Sequence, residues 1–391
     1  MNMSLGLKVK KWRSVLRQPP INYFTEVSMK AKKLLLITVI VFSLLVSSCS
    51  VKNNSEYTKY SYEFLGTFDT VVQIMGYARN SDEFEKMAEI CQERFVELNK
   101  LFDIYNDYDG INNIKTINDN AGIKPVEVQQ EIIDLINFSK EWYKKTNGKC
   151  NIALGSVLSI WHDYRERGIN NPETAEVPPS SMLKEAAKYT DIDMVIVDDD
   201  NNTVYLKDKN MRLDVGSVAK GFATEITVKE LVEKGYTSFI ISSGGNVRTV
   251  GKPMDSSRKK WGIGIQNPDG NPNDPNDPSL DVLYINDKSL VTSGDYQRFY
   301  EVNGKKYHHL IDPETLMPAD YYRSVSVLTE NSAVADFMST TMFLTPYEEG
   351  LKLAESIGVD VVWVMKDGTI KATDNARKVM KYLGGATNNE D

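Results

Sequence analysis

The chain reads as an α+β protein, a single catalytic domain in which helices pack on antiparallel or mixed sheets. Three observations predict this. Strand-like and helix-like segments follow one another without the regular βαβ alternation of a parallel sheet, so consecutive strands are expected to pair directly. Short apolar runs are bounded by Gly, Asn or Asp, and two longer segments repeat apolar residues at three- and four-residue steps. With 391 residues, 41% of them hydrophobic and 26% charged, the chain is long enough to bury a sizeable core.

The first 61 residues are expected to lie outside that domain. Lys30, Lys32 and Lys33 precede an apolar run over 34–46, which is too short for a comfortable membrane span and is read as part of an exported signal peptide, 29–48. Val46-Ser47-Ser48-Cys49 resembles a bacterial lipoprotein processing box. That resemblance implies lipidation of Cys49, a new N-terminus there, and an extracytoplasmic protein anchored to the outer face of the cytoplasmic membrane. A plain signal anchor or a buried helix is the other reading. Residues 1–28 precede a better signal start at Met29 and are read as an upstream extension from a mis-assigned translation start, while 49–61 is polar and serves as a tether.

The formal net charge is −8. Removal of the residues before Cys49 takes away eight basic residues and one acid, leaving 38 against 53 and a net charge of −15. Nucleic acid is therefore excluded as a partner, because phosphate backbones need basic surface. An acidic protein that binds a polyphosphate needs a cation to help, which makes a divalent metal worth seeking. Besides Cys49 there are only Cys91 and Cys150, and the histidines are His162, His308 and His309, so no zinc-type cluster can be assembled by spacing.

The domain is expected over 62–385. Gly66 and Gly76 bound a strand at 68–75. Asn80 to Glu83 offers a capping box for a helix whose stripe is Phe84, Met87, Cys91, Phe95, Leu98 and Phe102, a core face with no function of its own. A second helix is expected over 128–143, ending at Asn147-Gly148, with an Asn- and Asp-rich surface loop over 105–120 between the two. Residues 194–197 and 203–206 flank an Asp/Asn cluster as a hairpin. A helix after Asp214 should stop at Gly235, and 239–242 forms a short strand ending in Ser243-Gly244-Gly245-Asn246. Its two glycines allow either a close backbone approach to a ligand or merely a tight turn. Residues 267–279 are read as a variable loop, and Asn303-Gly304 as a hairpin tip returning through Tyr307, His308 and His309.

The most informative segment is Leu213-Asp214-Val215-Gly216-Ser217-Val218-Ala219-Lys220-Gly221-Phe222-Ala223. It sets a carboxylate, a Gly turn and a lysine in one strand-to-helix junction, and a helix N-terminus with its unpaired N–H groups suits an anionic group. The plainer reading is an ordinary buried junction with one solvated lysine. Downstream, Asp336 and Thr340 stand four apart, hence on one helical face, and can offer a carboxylate and a hydroxyl to one hard cation. Asp336 can equally be a dipole-favoured acid near a helix N-terminus, and Thr340 a surface hydroxyl. An acid on a helix surface is rarely essential to stability, so Asp336 is expected to be replaceable without unfolding.

Five segments in order, Gly66-Thr67-Phe68-Asp69-Thr70, Asp214 to Gly221, Ser243 to Val247, Thr292-Ser293-Gly294-Asp295-Tyr296, and His309-Leu310-Ile311-Asp312-Pro313 followed by Ala335 to Thr340, resemble the ApbE-like family, the FAD:protein FMN transferases. The resemblance covers about 65–345. It implies a Mg2+-dependent enzyme that binds FAD and transfers its FMN half to a Ser or Thr hydroxyl of an acceptor protein, releasing AMP. It further implies an acceptor redox protein with a Ser/Thr flavinylation motif. Metal ligands would be Asp336, Thr340 and the backbone carbonyl of Ser217, where many relatives have Ala. Leu65, Tyr105, Ala153, Leu154, Gly155, Asp214, Lys220 and Leu310 fall where relatives hold FAD. His309 is a candidate for proton transfer, since imidazole can act as acid or base near neutral pH, and a structural histidine is the alternative. Tyr105 could stack on a ring system or belong to the core.

The chain departs from the family pattern at three places. Leu65 replaces a frequent Met, and Asn246 replaces a frequent acid. Leu316 stands where Gly is usual, a position whose turn a leucine cannot adopt cheaply if φ is positive. Two other functions use the same residues: a FAD pyrophosphatase in which water attacks, and a non-catalytic FAD-binding lipoprotein.

Overall fold

The computed structural model describes residues 56–270 and 279–389. Cys49, the signal-like segment, residues 1–28 and most of the tether lie outside the described residues, as does the middle of the 267–279 loop. Among the described residues no helix is long and apolar enough to cross a membrane.

The chain opens with strands β1 (Thr58–Thr67) and β2 (Thr70–Ala78) and helix α1 (Ser81–Phe102). Helix α2 (Ile114–Asp119), strand β3 (Val126–Glu127), helix α3 (Gln130–Lys145), helix α4 (Gly155–Asn170) and helix α5 (Ser180–Ala186) follow. Strands β4 (Val195–Asp198) and β5 (Thr203–Leu206) lead to helix α6 (Ala219–Glu233). The second half begins with β6 (Phe239–Ser243), β7 (Asn246–Val250), β8 (Trp261–Ile265), β9 (Asp281–Ile285) and β10 (Ser289–Gly294). It continues with β11 (Phe299–Val302), β12 (Lys305–His308) and β13 (Tyr322–Thr329). Helices α7 (Ser332–Phe343) and α8 (Tyr347–Ile357), strands β14 (Asp360–Met365) and β15 (Ile370–Ala372), and helices α9 (Asp374–Val379) and α10 (Lys381–Gly384) complete it.

The main sheet has eight strands in the order β1-β2-β6-β7-β10-β13-β14-β15, and every neighbouring pair is antiparallel. This is the α+β architecture. Successive residues of its central strands enter different cores, as period-two geometry requires. Val291, Val327 and Val361 pack with α7 and α8, whereas Leu290, Leu328 and Val362 pack with Trp261, Ile263 and Leu283 of β8 and β9 and with Met380. Both faces are covered. A third core joins β1, β2 and β6 to α1 through Phe84, Met87, Cys91 and Phe95, the apolar stripe expected from the sequence.

Two local readings need correction. The segment 105–120 is not all loop: it contains α2, started by a capping box in which the Asn113 side chain accepts from Thr116 N–H and Thr116 Oγ1 accepts from Asn113 N–H. Asn113 is fully buried, and its amide also donates to the carbonyls of Lys100 and Asn106, so it sews the end of α1 to α2. Strand 68–75 is likewise shifted. Phe68 and Asp69 are a two-residue turn, with φ of 51° and 52°, between the paired Thr67 and Thr70. A positive φ is costly for a bulky residue. Here the Phe68 N–H donates to Asn99 Oδ1 at 2.7 Å, and its ring packs edge-on against Phe95. β1 begins at Thr58, so 58–61 belong to the sheet.

Replacing Asn113 removes a cap and leaves two buried carbonyls without a donor. Asn113→Ala is expected to cost roughly 2 kcal/mol or more in urea unfolding; a loss below about 0.5 kcal/mol, the range of surface substitutions, would contradict this role.

Candidate active site at a strand-to-helix junction

Residues 211–215 belong to no sheet and lead into a turn at 216–218 that opens α6, and a buried amide anchors them. Leu213 N–H donates to Asn118 Oδ1 at 2.6 Å, and Asn118 Nδ2 donates to Leu213 O at 3.0 Å. Asp214 N–H donates to Ile152 O at 2.8 Å, which brings Ala153, Leu154 and Gly155 alongside. A Cβ on Gly155 would lie 2.4 Å from the Arg212 carbonyl oxygen, so only glycine fits there. The Asp214 carboxylate accepts from Gly216 N–H at 2.9 Å and closes the turn before the helix. Burial raises its pKa, against the pull of that N–H and of nearby His162, Arg298 and Arg165.

At the start of α6 the Gly221 N–H, which a continuing helix would turn back to the Ser217 carbonyl, donates instead to Asp336 Oδ2 of α7 at 2.7 Å. The two helices can meet this closely because residue 221 has no side chain: a Cβ would stand 2.3 Å from Ser332 O and 2.4 Å from Asp336 Cβ. Asp336 is 5% exposed, which overturns the expectation of a helix-surface acid. Every residue of α7 except Val334 is buried. Burial raises the Asp336 pKa, while Lys220 and the Gly221 N–H act the other way. Thr340, one turn on, is 9% exposed, and its hydroxyl makes no hydrogen bond among the described residues. The Ser217 hydroxyl accepts from the buried Cys150 thiol at 3.2 Å. Among the described residues no group of three His, Cys, Asp or Glu side chains could hold a metal, so a cation here would depend on a mixed set of oxygens.

The other segments singled out in the sequence converge on the same place. Gly244 and Gly245 both have positive φ, and a Cβ on Gly244 would stand 2.2 Å from Thr70 Oγ1, so the double glycine seats the β1–β2 turn. Thr292 N–H donates to Gly245 O at 3.2 Å, and Ser293 Oγ meets Ser339 Oγ of α7 at 2.8 Å. Asn246 is fully buried beside Gly221, where its Nδ2 would stand 3.0 Å from a Cβ at 221, and its Oδ1 accepts from the Ser332 hydroxyl at 2.7 Å. Behind it Glu225 Oε2 accepts from Ser332 N–H at 2.9 Å and lies 3.5 Å from Arg248 Nε.

The residues expected to hold a nucleotide divide into two groups. Ala153, Leu154 and Leu310 are buried core side chains, so only their backbone is available to a ligand. Leu65 and Tyr105 are open, at 74% and 53% exposure. Lys220 makes no ion pair among the described residues and is close enough to influence both Asp336 and His309. His309 is half-buried. Burial, with Arg298, His308, Arg165 and Lys220 nearby, pushes its pKa from 6.5 down to about 3. Its Nδ1 lies 3.3 Å from the Arg298 carbonyl, which can only accept, so the neutral ring carries its proton on Nδ1 and presents a lone pair at Nε2. Leu316 does adopt φ of 60°; it is 8% exposed, and its carbonyl accepts from Trp161 Nε1 at 3.0 Å, contacts that offset the strain.

His162, Arg165 and Arg298 escaped the sequence reading, because no local motif marks them and only tertiary packing brings them near the site. An open groove of about 700 Å3 beside the 209–212 segment is lined by Asn118, Ser156, Met182, Lys209 and Arg212 among others. It contains none of the converging residues, and its buried amide, Asn118, is already spent on Leu213. The chemistry is therefore assigned to the junction.

The fold and this junction define an α+β domain built to present a helix N-terminus, a lysine and a buried carboxylate at one point. The sequence model of the ApbE family matches residues 68–363, and the chain belongs to that family. It is 32% identical over 273 residues to the FAD:protein FMN transferase of Treponema pallidum (strain Nichols), covering 66% of this chain and 72% of the relative. It is 23% identical over 287 residues to that of Escherichia coli (strain K12), covering 73% and 79%. Among solved structures, the ApbE protein of Thermotoga maritima superposes with a TM-score of 0.72 at 26% identity, over 82% of this chain and 99% of that one. The apo flavinyl transferase ApbE of Pseudomonas stutzeri shares the fold at a TM-score of 0.69 and 18% identity, over 87% and 100%.

Two outcomes are expected from this geometry. Gly221→Ala must push α6 from α7 and should cost about 1–3 kcal/mol in thermal or urea unfolding, as overpacking does; unaltered stability would mean the contact is not tight. In an NMR pH titration the His309 ring should stay neutral through the ordinary histidine range. Because its folded pKa lies below 6.5, this neutral ring stabilises the fold above pH 6.5, and that stabilisation is lost as pH falls from 6.5 toward about 3. A His309 midpoint near 6.5 would refute this influence of burial and neighbouring cations.

Proposed function

We propose that this chain transfers the FMN half of FAD to a Ser or Thr hydroxyl of an acceptor protein and releases AMP, with Mg2+ as the accompanying cation. The observation that carries the reading is the Gly221–Asp336 contact, which unites a phosphate-suited helix start with a buried carboxylate in a chain whose relatives are named FAD:protein FMN transferases. The donor set suits a hard divalent ion. Asp336 Oδ1, the Thr340 hydroxyl and the Ser217 carbonyl are all oxygens, without thiolate or imidazole. Bound there, the cation would neutralise charge on the phosphoryl oxygens.

The chain's own residues account for the remainder. Lys220 and the first turn of α6 attract the anionic pyrophosphate, while the exposed Tyr105 and Leu65 offer apolar contact to a flat ring. In the transfer the acceptor oxygen forms a bond to the FMN phosphorus, the anhydride P–O bond breaks, and AMP leaves with its electron pair. His309 Nε2, left with its lone pair by the Nδ1–carbonyl contact, is the group to take the hydroxyl proton, a role that requires the anionic pyrophosphate to offset the neighbouring cations that depress its pKa. The reading extends to location. The Lys30, Lys32, Lys33, apolar-run and Cys49 pattern supports a lipid anchor on the outer face of the membrane, beside membrane-bound redox acceptors.

The test is intact-mass spectrometry of an acceptor carrying a Thr-Gly-Ala-Thr segment after incubation with the full chain, FAD and Mg2+, with AMP followed alongside. A mass gain equal to FMN is expected, falling roughly 100-fold or more in rate with Asp336→Asn, which preserves shape but not charge. AMP and free FMN with no gain would replace transfer by hydrolysis, and intact FAD would leave only binding.

A further inference from the structure

α4 lies across the β11–β12 hairpin. Trp161 stacks on Tyr307 with ring centroids 6.1 Å apart, and a Cβ on Gly168 would stand 2.5 Å from the Tyr300 ring. This packing sets α4, which carries Arg165 one turn beyond Trp161, against the hairpin that Arg298 immediately precedes. Arg298 is tied to the junction by its backbone, whose carbonyl accepts from His309 N–H at 3.1 Å. Arg165 is tied by its side chain. Its Nη2 donates to His162 Nδ1 at 2.8 Å, and the His162 ring lies 5.1 Å from that of Tyr105. Among the described residues the Arg165 guanidinium has one carboxylate within ion-pair distance, Glu166 at 3.7 Å, and Arg298 makes no ion pair. Both act electrostatically on Asp214 and His309, so their charge falls on the floor of the site.

Arg165, Arg298 and Lys220 surround Asp214 and the buried Asp336 yet form no ion pair with either among the described residues, so donors beyond the one Arg165 gives His162 remain open to an anion. We propose that Arg165 and Arg298 are further ligand-binding residues that hold the phosphate groups of the nucleotide substrate, with His162 orienting Arg165. The guanidinium fork suits this task because it can give two parallel donors to one phosphate. The inference rests on the proposed nucleotide substrate but not on the transfer step.

Equilibrium binding of FAD, riboflavin and ADP to the full chain and to Arg165→Gln and Arg298→Gln distinguishes the two. Each substitution is expected to weaken FAD and ADP about 10- to 100-fold, the effect of losing a charge-assisted hydrogen bond. Riboflavin, which lacks phosphate, should change by less than about 2-fold, and Arg298→Lys should recover part of the loss because the charge remains. Unchanged FAD and ADP affinity, equal losses for riboflavin, or no binding of either nucleotide to the unsubstituted chain would overturn the proposal. Binding of ADP but no flavin, with ADP weakened in the variants, would uphold the arginine site while removing the flavin reading.

Discussion

The N–H of Gly221 leaves its own helix to meet the Asp336 carboxylate, and the approach of α6 to α7 that this requires is possible only without a Cβ at residue 221. A carboxylate taken from water is costly unless donors meet it, and here one backbone N–H and the field of Lys220 do so. The layer beneath keeps the arrangement in place. Glu225 of α6 accepts the Ser332 N–H, the Ser332 hydroxyl donates to Asn246 of β7, and Ser339 of α7 meets Ser293 of β10. Both helices and two sheet strands are thus bonded to one another through the polar groups that surround the site.

The central sheet meets a different constraint. Since Leu290 and Val291 of β10, Val327 and Leu328 of β13, and Val361 and Val362 of β14 are buried on opposite faces, these aliphatic pairs by themselves specify register weakly. Polar pairs remove that ambiguity, as where Thr292 Oγ1 meets Ser326 Oγ at 2.7 Å across β10 and β13. Strain is tolerated at the margins. Phe68, Asp69 and Leu316 hold positive φ in loops anchored by aromatic packing or by a tryptophan hydrogen bond.

Much of this was legible because it depends on short-range pattern. The stripe of α1 follows from spacing, the 303–304 hairpin tip from Asn-Gly, and the end of α6 from Gly235. What escaped depends on partners distant in sequence. Nothing near Asn113 announces that its amide will bridge two carbonyls of the preceding segment, and nothing near Asn118 announces Leu213, 95 residues away. Asp336 and Thr340 were readable as a pair by their spacing, but their burial was not, since the apolar and polar residues of α7 do not separate into faces. Arg165 and Arg298 reach the site through helix-on-hairpin packing, which leaves no local signature.

α7 is at once the most enclosed of the site helices and the one that carries the carboxylate and hydroxyl, and its twelve residues leave only Val334 outside the buried set. Selection for a firmer core and selection for a different ligand therefore act on the same short stretch. Gains in thermal tolerance should accumulate elsewhere, on β1, the tips of hairpins and the outer face of α1, while α7 changes slowly in both respects.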